Sequence, residues 1–266
     1  MKINWRERII AASIHLAVTL VVSGAAAAVI FMVWFPDGLA DVVGGRTLFW
    51  IVVACDLALG PLISLVVFDS KKSRLELFVD YGVVAALQLG ALAYGLSVVA
   101  ASRPVFVAFN VDRLDIVSAL ELDDEALAAG TAPRFQSRSW IGPRMVYIEP
   151  PKVGDGRQDI LSAIMLGANG QLFPKYYRDY DSAVPSVLKK AHPIESLLNG
   201  SGDSRSTLER EIAMTNASIA DLRWLLVRNR FGYAIALIDA QTGEPTKYLN
   251  VDPVWWDGRS SQATAR

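Results

Sequence analysis

Cysteine and histidine are nearly absent from this chain of 266 residues, which has one cysteine, Cys55, and two histidines, His15 and His192. A single cysteine excludes an intrachain disulfide, so the fold must be held by packing alone. Two histidines, one of them inside a long apolar run, exclude a histidine-rich metal site. The sequence also lacks a Walker loop, a His-Glu-x-x-His motif and a dinucleotide-binding glycine pattern. We therefore predict no catalytic residues, no metal, no cofactor and no enzymatic activity.

An excess of charge of one sign is also absent, because 26 Lys and Arg residues face 27 Asp and Glu residues, a net charge of −1. A nucleic-acid-binding surface needs clustered basic residues, so we expect no nucleic acid partner. Apolar residues, by contrast, make up 52% of the chain. They are concentrated before residue 102, which predicts a membrane-embedded first part and a water-soluble second part.

Three long apolar runs fill the first hundred residues, at about 9–35, 47–68 and 75–101. Each is long enough for a helix across a hydrocarbon core about 30 Å thick. The first run continues well past the small residues that would suit signal-peptide cleavage, so we expect it to be retained. Residues 1–102 are thus predicted to form a three-helix membrane domain, with the lipid bilayer as its surroundings, and residues 103–266 a separate domain.

Basic residues indicate the orientation of these helices. They precede the first run and separate the second from the third, as Lys2, Arg6, Arg8, Lys71, Lys72 and Arg74. The positive-inside rule places both clusters in the cytoplasm, and an odd number of spans then sends the C-terminal domain across the membrane. In a bacterium this predicts a multi-pass inner-membrane protein with a cytoplasmic N-terminus and a periplasmic C-terminal domain.

Polar residues interrupt the second and third runs near their middles, as Asp56 and Gln88. An ionisable residue at that depth costs about 2.5–3.5 kcal/mol on insertion scales and indicates a functional site. With a helical rise of about 1.5 Å per residue, the two residues lie at similar levels on antiparallel helices. Gly60 and Pro61 should thin and bend the second helix beside Asp56. Two interpretations remain open: a hydrogen bond that holds the bundle together, or a notch that binds a partner helix.

A second polar pair is predicted nearer the cytoplasmic side. His15 and Asp80 both lie about 8–9 Å from that side if each residue rises about 1.5 Å. Their proximity in depth makes them candidates for an intramembrane pair. The alternative is that each reaches headgroup water or caps a helix end.

The residues after 103 show short alternating strand and helix patterns. Strands are expected at 105–109, 115–117, 145–148, 222–227, 233–239 and 246–251, and helices at 121–129, 158–168, 185–198 and 206–214. The last three strands are joined by short connections, which predicts an antiparallel meander. The fold class is therefore α+β, with a three-helix transmembrane bundle followed by a mixed α+β domain.

Two aromatic pairs in this second domain are candidates for docking a partner protein. Trp255 and Trp256 follow a proline near the C-terminus and are either a partner anchor or a plug of the core. Tyr176 and Tyr177 lie in an aromatic, charged loop. They either contact a partner or pack on their own domain.

A series of segments in the first 115 residues resembles a known family. The segments include Trp5-Arg6-Glu7-Arg8, Gly44-Gly45-Arg46-Thr47-Leu48-Phe49, Asp56-Leu57-Ala58-Leu59-Gly60-Pro61, Lys71-Lys72-Ser73-Arg74 and Arg103-Pro104-Val105. Together they are similar to the type IV pilin accessory proteins of the TfpX/TfpZ type. That resemblance implies three membrane helices, an exported C-terminal domain and no enzymatic role. It also implies that the protein helps its cognate major pilin to become stable and to assemble, with the pilus assembly machinery as a further candidate partner.

A chaperone-like mechanism is physically reasonable for such a chain. An unassembled pilin with one apolar helix and an exported head would offer two contact sites, and two linked weak contacts add through effective concentration. The alternatives are a membrane-anchored periplasmic sensor or regulator, and a small membrane enzyme or transporter that uses Asp56. A sensor needs an output module, whereas the predicted cytoplasmic parts are only a few residues each. Three helices are few for a transport path unless the protein oligomerises, and one buried acid is little catalytic equipment for an enzyme.

Overall fold

The computed structural model describes residues 5–67, 72–149, 169–200, 205–215 and 217–253. The chain divides into two compact units, one of residues 1–33 and 44–101, the other of residues 34–43 and 102–266. We call them the membrane unit and the outer unit. The connection between the first two spans, Trp34–Val43, therefore belongs to the same compact unit as the C-terminal part of the chain.

Three long helices form the membrane unit. Helix α1 covers Trp5–Ala28 and continues as a π-helical segment over Val29–Trp34, α3 covers Gly45–Val67, and α4 covers Arg74–Ser102. All three are long and apolar enough to span a membrane. This confirms the three predicted long apolar helices, each of which starts slightly earlier than the apolar run indicated.

Close packing joins these helices at small and aromatic residues. Helix α1 packs along α3, where the Phe31 and Phe49 rings meet edge to face at 5.0 Å between centroids. Gly95 allows α4 to approach α3, because a Cβ atom there would lie 2.7 Å from Cγ2 of Val52. Small residues serve this purpose in membranes, where association depends on close van der Waals contact.

Basic side chains stabilise the C-terminal end of α3. Arg8 Nη1 donates to the carbonyl oxygen of Leu65 at 2.7 Å, and Lys72 Nζ donates to that of Val67 at 3.0 Å. The last carbonyl groups of a helix have no partner within the helix and carry partial negative charge, which cations satisfy. These residues of the two basic clusters thus have a structural role in addition to the topological role predicted for them.

The outer unit is built on a mixed sheet of eight strands. They are β1 Pro104–Asn110, β2 Arg113–Ser118, β3 Arg144–Ile148, β4 Tyr177–Asp179, β5 His192–Pro193, β6 Leu222–Asn229, β7 Gly232–Asp239 and β8 Pro245–Leu249. Their order is β4-β3-β1-β2-β6-β7-β8, with β5 also paired to β6. The β1–β3 and β2–β6 pairs are parallel and the other pairs antiparallel. The predicted α+β class and the final meander, β6 to β8, are confirmed.

Among the described residues after 102, four short helices accompany the sheet: α5 Asp124–Ala128, α6 Val184–Lys190, α7 Ile194–Gly200 and α8 Arg205–Ala213. The single helix predicted over 185–198 is wrong, because α6 and α7 are separated by β5. Pro193 explains the break, since a proline disfavours helical backbone at the residue before it. Strand β4 was expected to be loop, and the predicted helix 158–168 lies outside the described residues.

Two clusters of buried side chains stabilise the sheet. One lies around Phe106 and Tyr177, with Leu127 of α5 and Phe135 packed against it. The other surrounds Trp224, with α7 and α8 contributing Leu197, Leu208 and Ile212. Every residue of β1 is buried, which is typical of a strand covered on both faces.

A buried carboxylate connects the central strands. Asp115 on β2 accepts two hydrogen bonds of 2.9 Å from Arg228 on β6. It also accepts from Asn110 at 2.8 Å and from Arg113 at 3.0 Å. Because a buried charge is tolerated only when paired and hydrogen-bonded, this network specifies the alignment of β2 against β6.

The segment between the first two spans is fixed to the meander. Helix α2, Leu39–Val42, is largely buried, and the backbone N–H of Tyr248 donates to the carbonyl oxygen of Asp37 at 2.8 Å. Asn229 Nδ2 donates to the carbonyl oxygen of Val42 at 3.2 Å. Residues 34–43 and the sheet therefore behave as one folded body.

Candidate partner-binding groove in the membrane unit

An open groove of about 540 Å³ runs between α1 and α4 in the membrane unit. Apolar side chains make up most of its walls, among them Ile14, Val18, Val22, Leu89 and Leu92. Four larger polar side chains also line it: His15 from α1, Asp56 from α3, and Tyr81 and Gln88 from α4. The groove therefore combines an apolar shape with a few polar groups, as binding sites commonly do.

Helical spacing explains why α4 contributes these residues. Tyr81, Ala85, Gln88, Leu89 and Leu92 all line the groove. They follow the three- and four-residue intervals that place side chains on one face of an α-helix. That face is turned towards α1, so the polar groups at positions 81 and 88 lie in the groove.

His15 connects the three helices through both ring nitrogens. Its Nδ1 lies 2.6 Å from Ser64 Oγ on α3, and its Nε2 lies 2.7 Å from Gln88 Oε1 on α4. An amide oxygen only accepts, so Nε2–H donates to Gln88 and Nδ1 accepts from the Ser64 hydroxyl. His15, which lines the groove, therefore connects α1 to both α3 and α4.

Gly60 makes this arrangement possible. A Cβ atom at position 60 would lie 2.4 Å from Gln88 Nε2 and 2.9 Å from His15 Nε2, both far closer than real contacts. Only a glycine leaves α3 open enough for the two polar side chains to meet beside it. Pro61 follows within the same helix.

Asp56 differs from its polar neighbours. Asp56 is only 8% exposed and lines the groove. Among the described residues, none forms a hydrogen bond or an ion pair with its carboxylate. The hydroxyl oxygen of Tyr81 is also buried without a hydrogen-bond partner. Unsatisfied polar groups at this depth are costly, so the groove presents groups that a partner could satisfy.

The structure brings together most of the predicted notch. Asp56 and Gln88 line one groove, and Gly60 packs against Gln88. The direct Asp56–Gln88 hydrogen bond is not formed, and the amide oxygen of Gln88 accepts from His15 instead. The sequence did not single out Ser64 or Tyr81, since hydroxyl side chains are ordinary in membrane helices.

The predicted pair of His15 and Asp80 is not formed. His15 contacts Ser64 and Gln88, whereas Asp80 forms an ion pair with Lys72 at 2.6 Å. The depth estimate was wrong for His15, because it was expected nearer the cytoplasmic side and yet contacts Gln88, which was expected near the middle of its run. Contact also depends on rotation about the helix axis. Asp80 is one residue, about 100°, away from the groove-lining Tyr81.

The aromatic residues predicted as docking candidates in the outer unit differ in how far they are buried. Tyr177 is fully buried, where it packs edge to face on Phe106 at 5.1 Å between centroids. Burial raises the pKa of its hydroxyl far above the ordinary value, and its ring has no surface to offer a partner. Tyr176 is half-buried, and the ammonium nitrogen of Lys175 lies 5.0 Å from the centroid of the Tyr176 ring. Trp255 and Trp256 lie outside the described residues.

His192 in β5 has a structural environment. Its ring lies 5.1 Å from that of Trp224, centroid to centroid. Burial lowers the pKa of His192, an effect that Asp112 opposes and Lys190 reinforces. Among the described residues, no three His, Cys, Asp or Glu side chains are grouped in a way that would hold a metal ion.

Known proteins resemble this chain over most of its length. Residues 3–44 match the sequence profile of a family described as fimbrial assembly protein FimB. Three proteins of Dichelobacter nodosus are similar, each named a fimbrial assembly protein. The serogroup I protein is 24% identical over 228 residues, which cover 85% of this chain and 88% of that protein. The serogroup E1 protein is 26% identical over 181 residues, covering 68% and 70%.

The third relative, from serogroups C1 and C2, is 31% identical over 105 residues, which cover 40% of this chain and 80% of that protein. No solved structure matches the chain significantly. The similarity therefore bears on family and general role, while the geometry of the groove comes from the present structure.

Proposed function

This chain belongs to the fimbrial assembly protein family, and from that membership we propose that it is an inner-membrane accessory protein of type IV pili. It binds its cognate major pilin and promotes the stability of that pilin, its assembly or the dynamics of the pilus. The names of the three relatives support the assembly role. The resemblance to type IV pilin accessory proteins supports the choice of partner.

The groove with its unpaired Asp56 carboxylate is the observation that carries the proposal. Its apolar walls suit a single apolar helix, which is how an unassembled pilin would sit in the membrane. Asp56 then selects a helix that bears a cation or a hydrogen-bond donor at its depth, because pairing removes the cost of an isolated polar group in lipid. Gln88 is positioned by His15 to add its free amide hydrogens.

The unit boundaries support the proposed orientation. Residues 34–43 and the C-terminal domain form one folded body, so they belong on the same side of a membrane. The basic residues at the other ends of the helices favour the cytoplasm for those ends. The outer unit is thus assigned to the periplasm, where it contacts the exported head of the same pilin and acts as a chaperone-like second site.

Co-purification tests this function. The full-length protein, solubilised from membranes with a mild detergent, is expected to retain its pilin, and deletion of its gene should lower surface piliation. Re-expression should restore both. Normal piliation in the deletion strain, together with failure to recover the pilin, would contradict the proposal.

A further inference from the structure

The outer unit is covalently joined to membrane spans at three points, and two of these are the ends of the first and third spans. The first span, Trp5–Trp34, ends at Trp34, and the third, Arg74–Ser102, ends next to Arg103. Both Trp34 and Arg103 belong to the outer unit. The surface of the outer unit around them must therefore lie near the membrane–water boundary.

A loop that follows α5 packs directly on these two points. The Trp140 ring lies 6.1 Å from that of Trp34, centroid to centroid, and the Arg103 guanidinium lies 3.7 Å from the centroid of Trp140. Arg103 Nε also donates to the carbonyl oxygen of Ser139 at 3.0 Å. Despite these contacts of the loop with Trp34 and Arg103, Trp140 is 61% exposed and Ile141 is 84% exposed.

Two more large apolar side chains are exposed beside the same points. Leu120 is exposed and follows Ala119, whose backbone N–H donates to the carbonyl oxygen of Arg103 at 2.9 Å. Phe231, in the turn between β6 and β7, is exposed as well and lies with Ser102 around one small cavity. The Arg230 guanidinium lies 4.7 Å from the Phe231 ring centroid.

We propose that Leu120, Trp140, Ile141 and Phe231 form a lipid-contact face of the outer unit, seated in the interfacial region of the bilayer. Tryptophan and arginine are favoured at that level, since each combines an apolar body with a polar group that remains in the headgroup layer. The apolar side chains are buried among acyl chains, which removes them from water. The lipid-contact face holds the outer unit close to the membrane independently of any pilin.

Fluorescence from a labelled residue tests the proposal on the full chain. Ile141→Cys is introduced together with Cys55→Ala, which removes the natural cysteine, and the thiol is labelled with a polarity-sensitive nitrobenzoxadiazole dye. The protein is reconstituted into phosphatidylethanolamine–phosphatidylglycerol vesicles with or without shallow nitroxide-labelled lipid. We expect blue-shifted emission that the nitroxide lipid quenches.

Val111→Cys in the same background is the matched control. Val111 is exposed at the turn between β1 and β2, about 26 Å along the chain from Arg103 at about 3.3 Å per strand residue. Its dye should emit as in water and should not be quenched. Emission from position 141 that equals the control overturns the proposal, and so does blue-shifted emission without quenching, since protein rather than lipid would then cover Ile141.

Discussion

Asp56 brings a carboxylate into the membrane groove without a partner among the described residues. Replacing it with alanine should preserve or raise the amount of inserted protein, because a charge at that depth costs about 2.5–3.5 kcal/mol. Under the proposed function piliation should fall, since the groove would lose the group proposed to select the pilin helix. Protein level is measured by immunoblot and piliation by shearing pili from the surface.

The neighbouring Cys55 supplies the control for this change. Its side chain is exposed on the outside of α3, so Cys55→Ala should leave piliation unchanged. If Asp56→Ala gave normal piliation at normal protein levels, Asp56 would be an ordinary structural polar group.

His192 gives the outer unit a predicted pH dependence. Burial lowers its pKa below the ordinary value of 6.5 in the folded state, so the neutral form is favoured by folding. The stabilisation is present above about pH 6.5 and is lost as the pH falls through the lowered pKa. The outer unit should therefore unfold at a lower temperature at pH 5 than at pH 7.5. Hydrogen exchange of the backbone amides in β6 measures this unfolding.

His192→Asn should reduce that difference, because the amide does not titrate. An unchanged difference between pH 5 and pH 7.5 in this variant would assign the effect to other groups.

The sequence identified single residues by their rarity. A carboxylate or an amide inside an apolar run is unusual, so Asp56 and Gln88 were found without a structure. Which groups they contact was not predictable, since a change of one residue in register rotates a side chain by about 100° about the helix axis. The pairing of His15 with Gln88 and Ser64, rather than with Asp80, illustrates this limit.

Helix packing depends on Gly60, and Gly60→Ala should destabilise the membrane unit. The new methyl group would meet Gln88 and His15 at less than van der Waals distance, and overpacking of this kind costs about 1–3 kcal/mol. The variant should melt at a lower temperature in detergent, because the His15–Gln88 contact between α1 and α4 is disturbed.

Gly90→Ala is the matched control on α4, because nothing lies within 4 Å of a Cβ atom at that position. Its melting temperature should be unchanged or slightly raised, since alanine favours a helix by about 1 kcal/mol over glycine. Equal effects of the two changes would contradict the packing assigned to Gly60.

Elements were predictable where their pattern was long or regular. The three spans and the strands of the meander agree with the structure because apolar length and alternation dominate there. The division of residues 185–198 into α6, β5 and α7 depends on pairing of β5 with a distant strand, Trp224 opposite His192. Such pairing is a tertiary effect, which local sequence does not specify.

At the level of the whole molecule, orientation follows from the basic clusters and the number of spans. Alkaline phosphatase fused after residue 266 should be active, since it folds only after export, and a green fluorescent protein at the same place should be dark. The opposite pair of results would reverse the orientation. A fusion after Arg74, in the turn between α3 and α4, should show the opposite behaviour and serves as the control.

The composition predicted two parts of the chain, but it did not predict that residues 34–43 would join the outer unit. The apolar runs on both sides made this segment look like a simple connection. Its hydrogen-bond partners Tyr248 and Asn229 lie about two hundred residues further along the chain. Contacts of that range are not readable from local patterns.

Photo-crosslinking from inside the groove tests most directly whether it binds the pilin. A benzoylphenylalanine replaces Leu89, which lines the groove, and in a control it replaces Leu87, which is exposed on another face of α4. The two positions differ in depth by only about 3 Å. Irradiation of intact cells should crosslink position 89, and not position 87, to the pilin. Equal crosslinking at both positions, or none at position 89 in cells that hold abundant pilin, would contradict the assignment of the groove.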